Sequence, residues 1–145
     1  MHYFDTSFLV PFFVDEPTSS RVEQFLRRQP PGKVAISQWT RLEFSSALAR
    51  QVRIGSMSAN AAAELGAAFD SLVARSFVMI SPVSSDFDLA DRFLRRFDTG
   101  LRAGDALHLA IGGNHGAEAI YSLDRGLLKA GERLGLPVTS GLRRS

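Results

Sequence analysis

Four acidic residues offer the chain its most distinctive chemistry: Asp5, Glu43, Asp105 and Asp124. Each interrupts an apolar or small-residue setting, in Tyr3-Phe4-Asp5-Thr6-Ser7, Leu42-Glu43-Phe44, Gly104-Asp105-Ala106-Leu107-His108 and Ser122-Leu123-Asp124. Each also has a purely structural reading. Asp5 and Asp124 could cap helices, Asp105 could complement a helix dipole, and Glu43 could snorkel from a helix edge. If they converge, two carboxylates ~4 Å apart repel by about 4 kcal/mol even at an effective dielectric of 20. Such a cluster needs protons or a bound cation. Oxygen donors without cysteine point to a hard ion, Mg²⁺ or Mn²⁺, over Zn²⁺. Few protein ligands leave water on such an ion, and that water is a nucleophile suited to phosphate esters.

The elements that must bring these acids together are legible as a rhythm. Short apolar runs alternate with longer helical patterns, as in successive βαβ units. Strands are expected over 2–5, 34–36, 77–80, 119–123 and 137–139, with a loop or helical turn after the first. Helices are expected from a Thr18-Ser19-Ser20 cap, from Ser37 to a stop at Gly55, and over 58–75. Further helices follow from Ser84 or Ser85, from Asp105 and over 125–134. The fold class is α/β: a three-layer α/β/α sandwich with a mainly parallel, about five-stranded sheet and six or so helices, one domain over 1–145. Ligands of such sheets bind beyond the carboxyl ends of the strands. Asp5 at the end of the first strand and Asp124 after the fourth belong to that edge. Glu43 is expected beside an apolar stripe of Trp39, Leu42 and Leu48.

Composition narrows the class. The 145 residues are 45% hydrophobic and 22% charged, which excludes wholesale disorder. No apolar run approaches the roughly 20 residues of a membrane span, and the longest is broken by Pro11. No basic leader precedes the first apolar run, and without cysteine there is no disulfide scaffold or thiolate site, so a cytoplasmic location is expected. The net charge of +2 says little about nucleic acid, although all but Lys33 and Lys129 of the 17 basic residues are arginines. Arginine suits phosphate oxygens, but genomic base composition would produce the same bias and is the preferred explanation.

The order and context of these residues resemble the PIN-domain ribonucleases, in particular the VapC-type toxins of bacterial toxin–antitoxin pairs. The carriers are Tyr3-Phe4-Asp5-Thr6-Ser7-Phe8-Leu9, Ile36-Ser37 through Leu42-Glu43-Phe44, and Asp105-Ala106-Leu107-His108-Leu109-Ala110. Tyr121-Ser122-Leu123-Asp124 and Leu134-Gly135-Leu136-Pro137-Val138 complete a match over essentially the whole chain. The resemblance implies an Mg²⁺-dependent endoribonuclease (Mn²⁺ as an alternative) whose acidic pocket is Asp5, Glu43, Asp105 and Asp124. Asp5 and Asp105 would be the main direct ligands, with Glu43 and Asp124 holding metal waters or a second ion. Thr6 and Ser122 match positions that orient the first and fourth aspartates, with Ser7 assisting; serine at 122 replaces the more usual threonine. It further implies an RNA substrate, tRNA or rRNA, a small VapB-like antitoxin and a homodimer.

Rival readings are weaker. Aspartate-nucleophile phosphatases need a second aspartate two residues after the first, where this chain has Ser7. A non-toxin PIN nuclease or a catalytically silent RNA-binding module remains the alternative. His108 reads as a structural hydrogen-bonding group, and His2 and His115 have no evident constellation. Asp86, Asp88 and Asp91 lack the glycine and glutamate of a calcium loop and read as acids near a helix start. Gly112-Gly113-Asn114-His115-Gly116 reads as a helix end. Arg102 is a candidate phosphate contact, as are Arg27-Arg28, Arg95-Arg96 and Arg143-Arg144, while Trp39 could stack on a base.

Overall fold

A computed structural model describes residues 1–142; Arg143 and Arg144 of the expected basic tail lie outside the described residues. Strand β1 (His2–Phe4) leads into α1 (Thr6–Phe13) and α2 (Ser19–Arg27), and β2 (Val34–Ser37) into α3 (Gln38–Arg53) and α4 (Ala59–Ser76). Then come β3 (Val78–Ile80), α5 (Ser84–Arg95), a 3-10 turn (Phe97–Thr99), α6 (Ala103–Asn114), β4 (Ala119–Tyr121), α7 (Arg125–Arg133) and β5 (Val138–Thr139). The strands form one parallel sheet in the order β3-β2-β1-β4-β5, with His2 opposite Val34 on one side and Ala119 on the other.

Alternation along β1 sets up the layers. Tyr3 joins a core with Leu107, Leu109, Ile111, Ile120 and Leu127, contributed by α6, β4 and α7. Its neighbour Phe4 joins the opposite core with Phe8, Val22, Ile36, Phe44 and Phe69. The sheet is therefore covered on both faces, which is why its strands read as apolar runs rather than alternating ones. The chain progresses one way from β1 to β3 and the other way from β4 to β5, so the β1/β4 boundary is the topological switch point.

Several expected boundaries move. Asp5 is not the last residue of a strand but the N-cap of α1, accepting from the Phe8 backbone N–H at 3.1 Å. Residues 6–13 form a helix through Pro11, whose missing N–H removes one bond while burial of Phe8 and Leu9 holds the segment in place. Helix α6 begins at Ala103, which places Asp105 inside its first turn. β4 ends at Tyr121, leaving Ser122 and Leu123 in the connection before Asp124 caps α7. Neither Ser84 nor Ser85 caps α5; Val83 holds that position and donates its N–H to Asp86 at 2.9 Å. Leu42 leaves the expected apolar stripe and is 62% exposed, because α3 turns Thr40, Phe44 and Leu48 inward instead.

Candidate active site

Asp5 is placed by its own helix cap and is 2% exposed. Its Oδ1 accepts from the Ser7 hydroxyl at 2.7 Å and its Oδ2 from the Ser122 hydroxyl at 2.6 Å. Ser122 follows β4 directly, so the aspartate is held across the switch point. The Asp124 N–H donates to the same Ser122 oxygen at 3.0 Å, and Asp124 Oδ1 caps α7 by accepting from Leu127 N–H at 3.0 Å. Ser122 thus orients the first aspartate with its hydroxyl and the fourth through the backbone.

Glu43 comes from the second turn of α3 and reaches the same edge. Its Oε1 accepts from the Thr6 hydroxyl at 2.7 Å and also contacts His108 Nε2. Thr6 therefore serves Glu43 and not Asp5, a change from the expected role that follows from Asp5 turning its oxygens toward Ser7 and Ser122. Gly104 explains how α3 and α6 come so close. A side-chain carbon there would stand 3.0 Å from Glu43 Oε2 and 3.3 Å from the Trp39 ring. Trp39 Nε1 donates to the Gly104 carbonyl at 3.2 Å.

Electrostatics shows that the four acids share one region. Burial, and then the charges of Asp124, Asp5 and Glu43, push the Asp105 pKa up to about 6, with His108 acting in the opposite sense. Among the described residues no donor hydrogen-bonds the Asp105 carboxylate. Burial also raises Asp5, against the hydrogen-bond donors Ser122, Ser7 and Phe8 N–H. For Glu43 burial raises the pKa, but the hydrogen bonds from His108 and the Thr6 hydroxyl prevail and hold it below the usual carboxylate range. The resulting group of acids repels itself and is only partly supplied with donors.

A model of the PIN domain family matches residues 2–133. The chain belongs to the PIN domain family. No curated protein sequence matches it. Among solved structures it is similar to VapC20 of Mycobacterium tuberculosis, a "Sarcin-Ricin loop cleaving toxin", at 19% identity and a TM-score of 0.70 over 90% of this chain and 95% of that one. FitAcB of Neisseria gonorrhoeae is 17% identical with a TM-score of 0.72, covering 97% and 98% of the two chains. A toxin-antitoxin complex from Klebsiella pneumoniae is 18% identical with a TM-score of 0.70, covering 99% and 100%. These likenesses establish the fold.

PIN-domain nucleases generally use divalent metals, and the donor chemistry here fits such an ion. Among the described residues no group of three or more His, Cys, Asp or Glu side chains is arranged to hold a metal by itself. Mg²⁺ does not demand that arrangement, because it keeps several waters and takes one or two carboxylates. The carboxylates of Asp105 and Asp5, and the oxygens Glu43 Oε2 and Asp124 Oδ2, match that habit.

Besides His2, whose Nδ1 lies 2.8 Å from Gln29 Oε1, two residues set aside in the sequence have partners. His108 is buried against Glu43 and Tyr3, and His115 Nε2 lies 3.0 Å from the fully buried Asp86, which also accepts from Asn114 at 2.9 Å. The i, i+3 spacing of Asp105 and His108 was the available signal for the first. Nothing in one sequence signals that Tyr3 and Glu43 meet the same ring. Arg102 is exposed immediately before α6. No helix of the described residues is long and apolar enough to cross a membrane.

The Asp105 shift gives a pH dependence of defined sign. A carboxyl at 3.8 when unfolded and about 6 when folded binds its proton first in the folded state, so its stabilising effect is lost as pH rises through about 6. In EDTA, the Tm of the wild type should fall between about pH 4.5 and 7, and that fall should be shallower in Asp105→Asn. Part of the slope should persist from Asp5, which shifts the same way. Equal slopes in the two proteins would refute the electrostatic account.

Proposed function

We propose that this PIN domain is the toxin of a type II toxin–antitoxin pair and acts as an Mg²⁺-dependent endoribonuclease. The observation that carries the reading is Asp105, partly buried and free of described donors, with its pKa raised by burial and then by three further acids. Asp5 and Asp105 would hold the ion directly, and Glu43 and Asp124 would hold its waters or a second ion. When bound, Mg²⁺ or Mn²⁺ supplies a Lewis acid for the phosphoryl oxygen and acidifies the attacking water. Glu43 or Asp124 would accept the proton of the attacking water. Ser7 and Ser122 keep Asp5 fixed, Thr6 keeps Glu43 fixed, and Arg102 contacts substrate phosphate.

The substrate is RNA, with tRNA and rRNA the classes in view; the similar VapC20, a sarcin-ricin loop cleaving toxin, supports a structured target. A small VapB-like antitoxin is the proposed protein partner, supported by the similar toxin-antitoxin complex. Such a partner can neutralise the acids with an arginine. A second copy of the chain is the other. Leu42, Phe87 and Val83 are exposed, and Leu42 and Phe87 line an apolar groove with Trp39, Pro82 and Leu107. A patch of this kind marks an association surface.

Purified protein should cut RNA in Mg²⁺, stop in EDTA, and lose at least about 100-fold in rate as Asp5→Asn. Wild type no faster than Asp5→Asn, with contaminating nuclease excluded, would leave a silent RNA-binding module. Expression alone in a bacterial host should arrest growth, and Asp105→Asn should relieve the arrest; unaffected growth with intact cleavage would leave a non-toxin nuclease. Sedimentation should show a dimer that Phe87→Asp converts to monomer, and a wild-type monomer would remove that partner.

A further inference from the structure

Glu43 is gripped by more than the chemistry above requires. His108 lies one helical turn beyond Asp105, is buried, and contacts Glu43 Oε1 through Nε2 and the Tyr3 hydroxyl through Nδ1 at 2.7 Å. The Tyr3 oxygen is also 2.8 Å from Ser37 Oγ, and Ser37 Oγ accepts the Thr40 N–H at 3.3 Å. These contacts have a direction. An ionised carboxylate only accepts, so both Thr6 and Nε2–H donate to Oε1. With the ring uncharged, the arrangement the inference takes, Nδ1 accepts from the Tyr3 hydroxyl and Ser37 donates to Tyr3. Each hydrogen is used once, and among the described residues no buried side-chain polar atom lacks a partner.

The relay crosses α3 and α6, which carry Glu43 and Asp105, and β1, which ends just before Asp5. Tyr3 is two residues before Asp5 on β1, Ser37 is the N-cap of α3, and His108 shares α6 with Asp105. With Oε1 occupied by two protein donors, Oε2 is left beside Gly104, the residue preceding Asp105. We infer that His108 is a positioning residue: its Nε2–H, aligned by the Tyr3 hydroxyl, fixes Glu43 so that Oε2 is the oxygen offered to the cation's water shell. This rests on the metal-nuclease reading and adds to it a tautomer and an assignment of the two glutamate oxygens.

The test combines Mn²⁺ titration calorimetry, kcat for RNA cleavage, and proton–nitrogen NMR of the imidazoles in wild type, His108→Leu, His108→Gln and Tyr3→Phe. Wild-type His108 should carry hydrogen on Nε2, and Tyr3→Phe should lose that single tautomer. His108→Leu should weaken Mn²⁺ binding or kcat by about 10- to 100-fold, as loss of an outer-shell hydrogen bond does. His108→Gln, whose amide can still donate, should recover part of it at a similar Tm. A His108→Leu protein equal to wild type in both measures overturns the inference, as does a wild-type ring protonated on Nδ1 alone. Should His108→Leu not fold, Tyr3→Phe with wild-type tautomer, affinity and kcat overturns it. A wild type that neither binds Mn²⁺ nor cuts RNA sinks the nuclease reading instead, while the tautomer still reports on the relay.

Discussion

Repulsion among carboxylates is the constraint around which this molecule is arranged. Asp5, Glu43, Asp105 and Asp124 come from four segments far apart in the chain, yet the charges of the other three all act on Asp105. Packing alone would drive such groups apart or protonate them. What opposes this is a set of short hydroxyl bonds: Ser7 and Ser122 on Asp5, and Thr6 on Glu43. Charge-assisted bonds of this kind are about twice as strong as neutral ones, and they leave Asp105 as the group with the largest unmet need.

The parallel sheet supplies the meeting place. β1 is central, so the chain just beyond it lies between the β2 and β4 segments, and the switch in strand order opens a crevice there. Two helix starts then point at the same edge. Asp105 stands in the first turn of α6 and Asp124 caps α7, so both also face positive dipole ends. The structural reading of each acid and its functional reading coexist: the caps fix the backbone, and the remaining lone pairs stay available. This is why a residue can be a good N-cap and still belong to a site.

Much of this was legible from residue order. The strand–helix rhythm gives the layer architecture, and the run from Asp105 to Ala110 marks the helix that matters, because apolar periodicity and glycine stops are local signals. The remainder depends on distance in space. Residues 6–13 resist a helical reading because Pro11 argues against it locally, whereas burial of Phe8 and Leu9 decides it. Leu42 reads as core by spacing, but a helix packed on one narrow face leaves it in solvent. The partner of Thr6 is set by side-chain direction across α1 and α3, which no spacing encodes. His108 and Tyr3 show the same limit, since a hydroxyl and an imidazole 105 positions apart meet only when the sheet is assembled.

A crystal grown with Mn²⁺ tests the central claim most directly, because the ion's anomalous scattering locates it without reference to activity. The account requires a peak at the carboxyl edge of the sheet, touching Asp105 and Asp5 with water completing its shell, and no such peak in Asp105→Asn. Manganese bound elsewhere, or an empty edge at saturating metal, would contradict it.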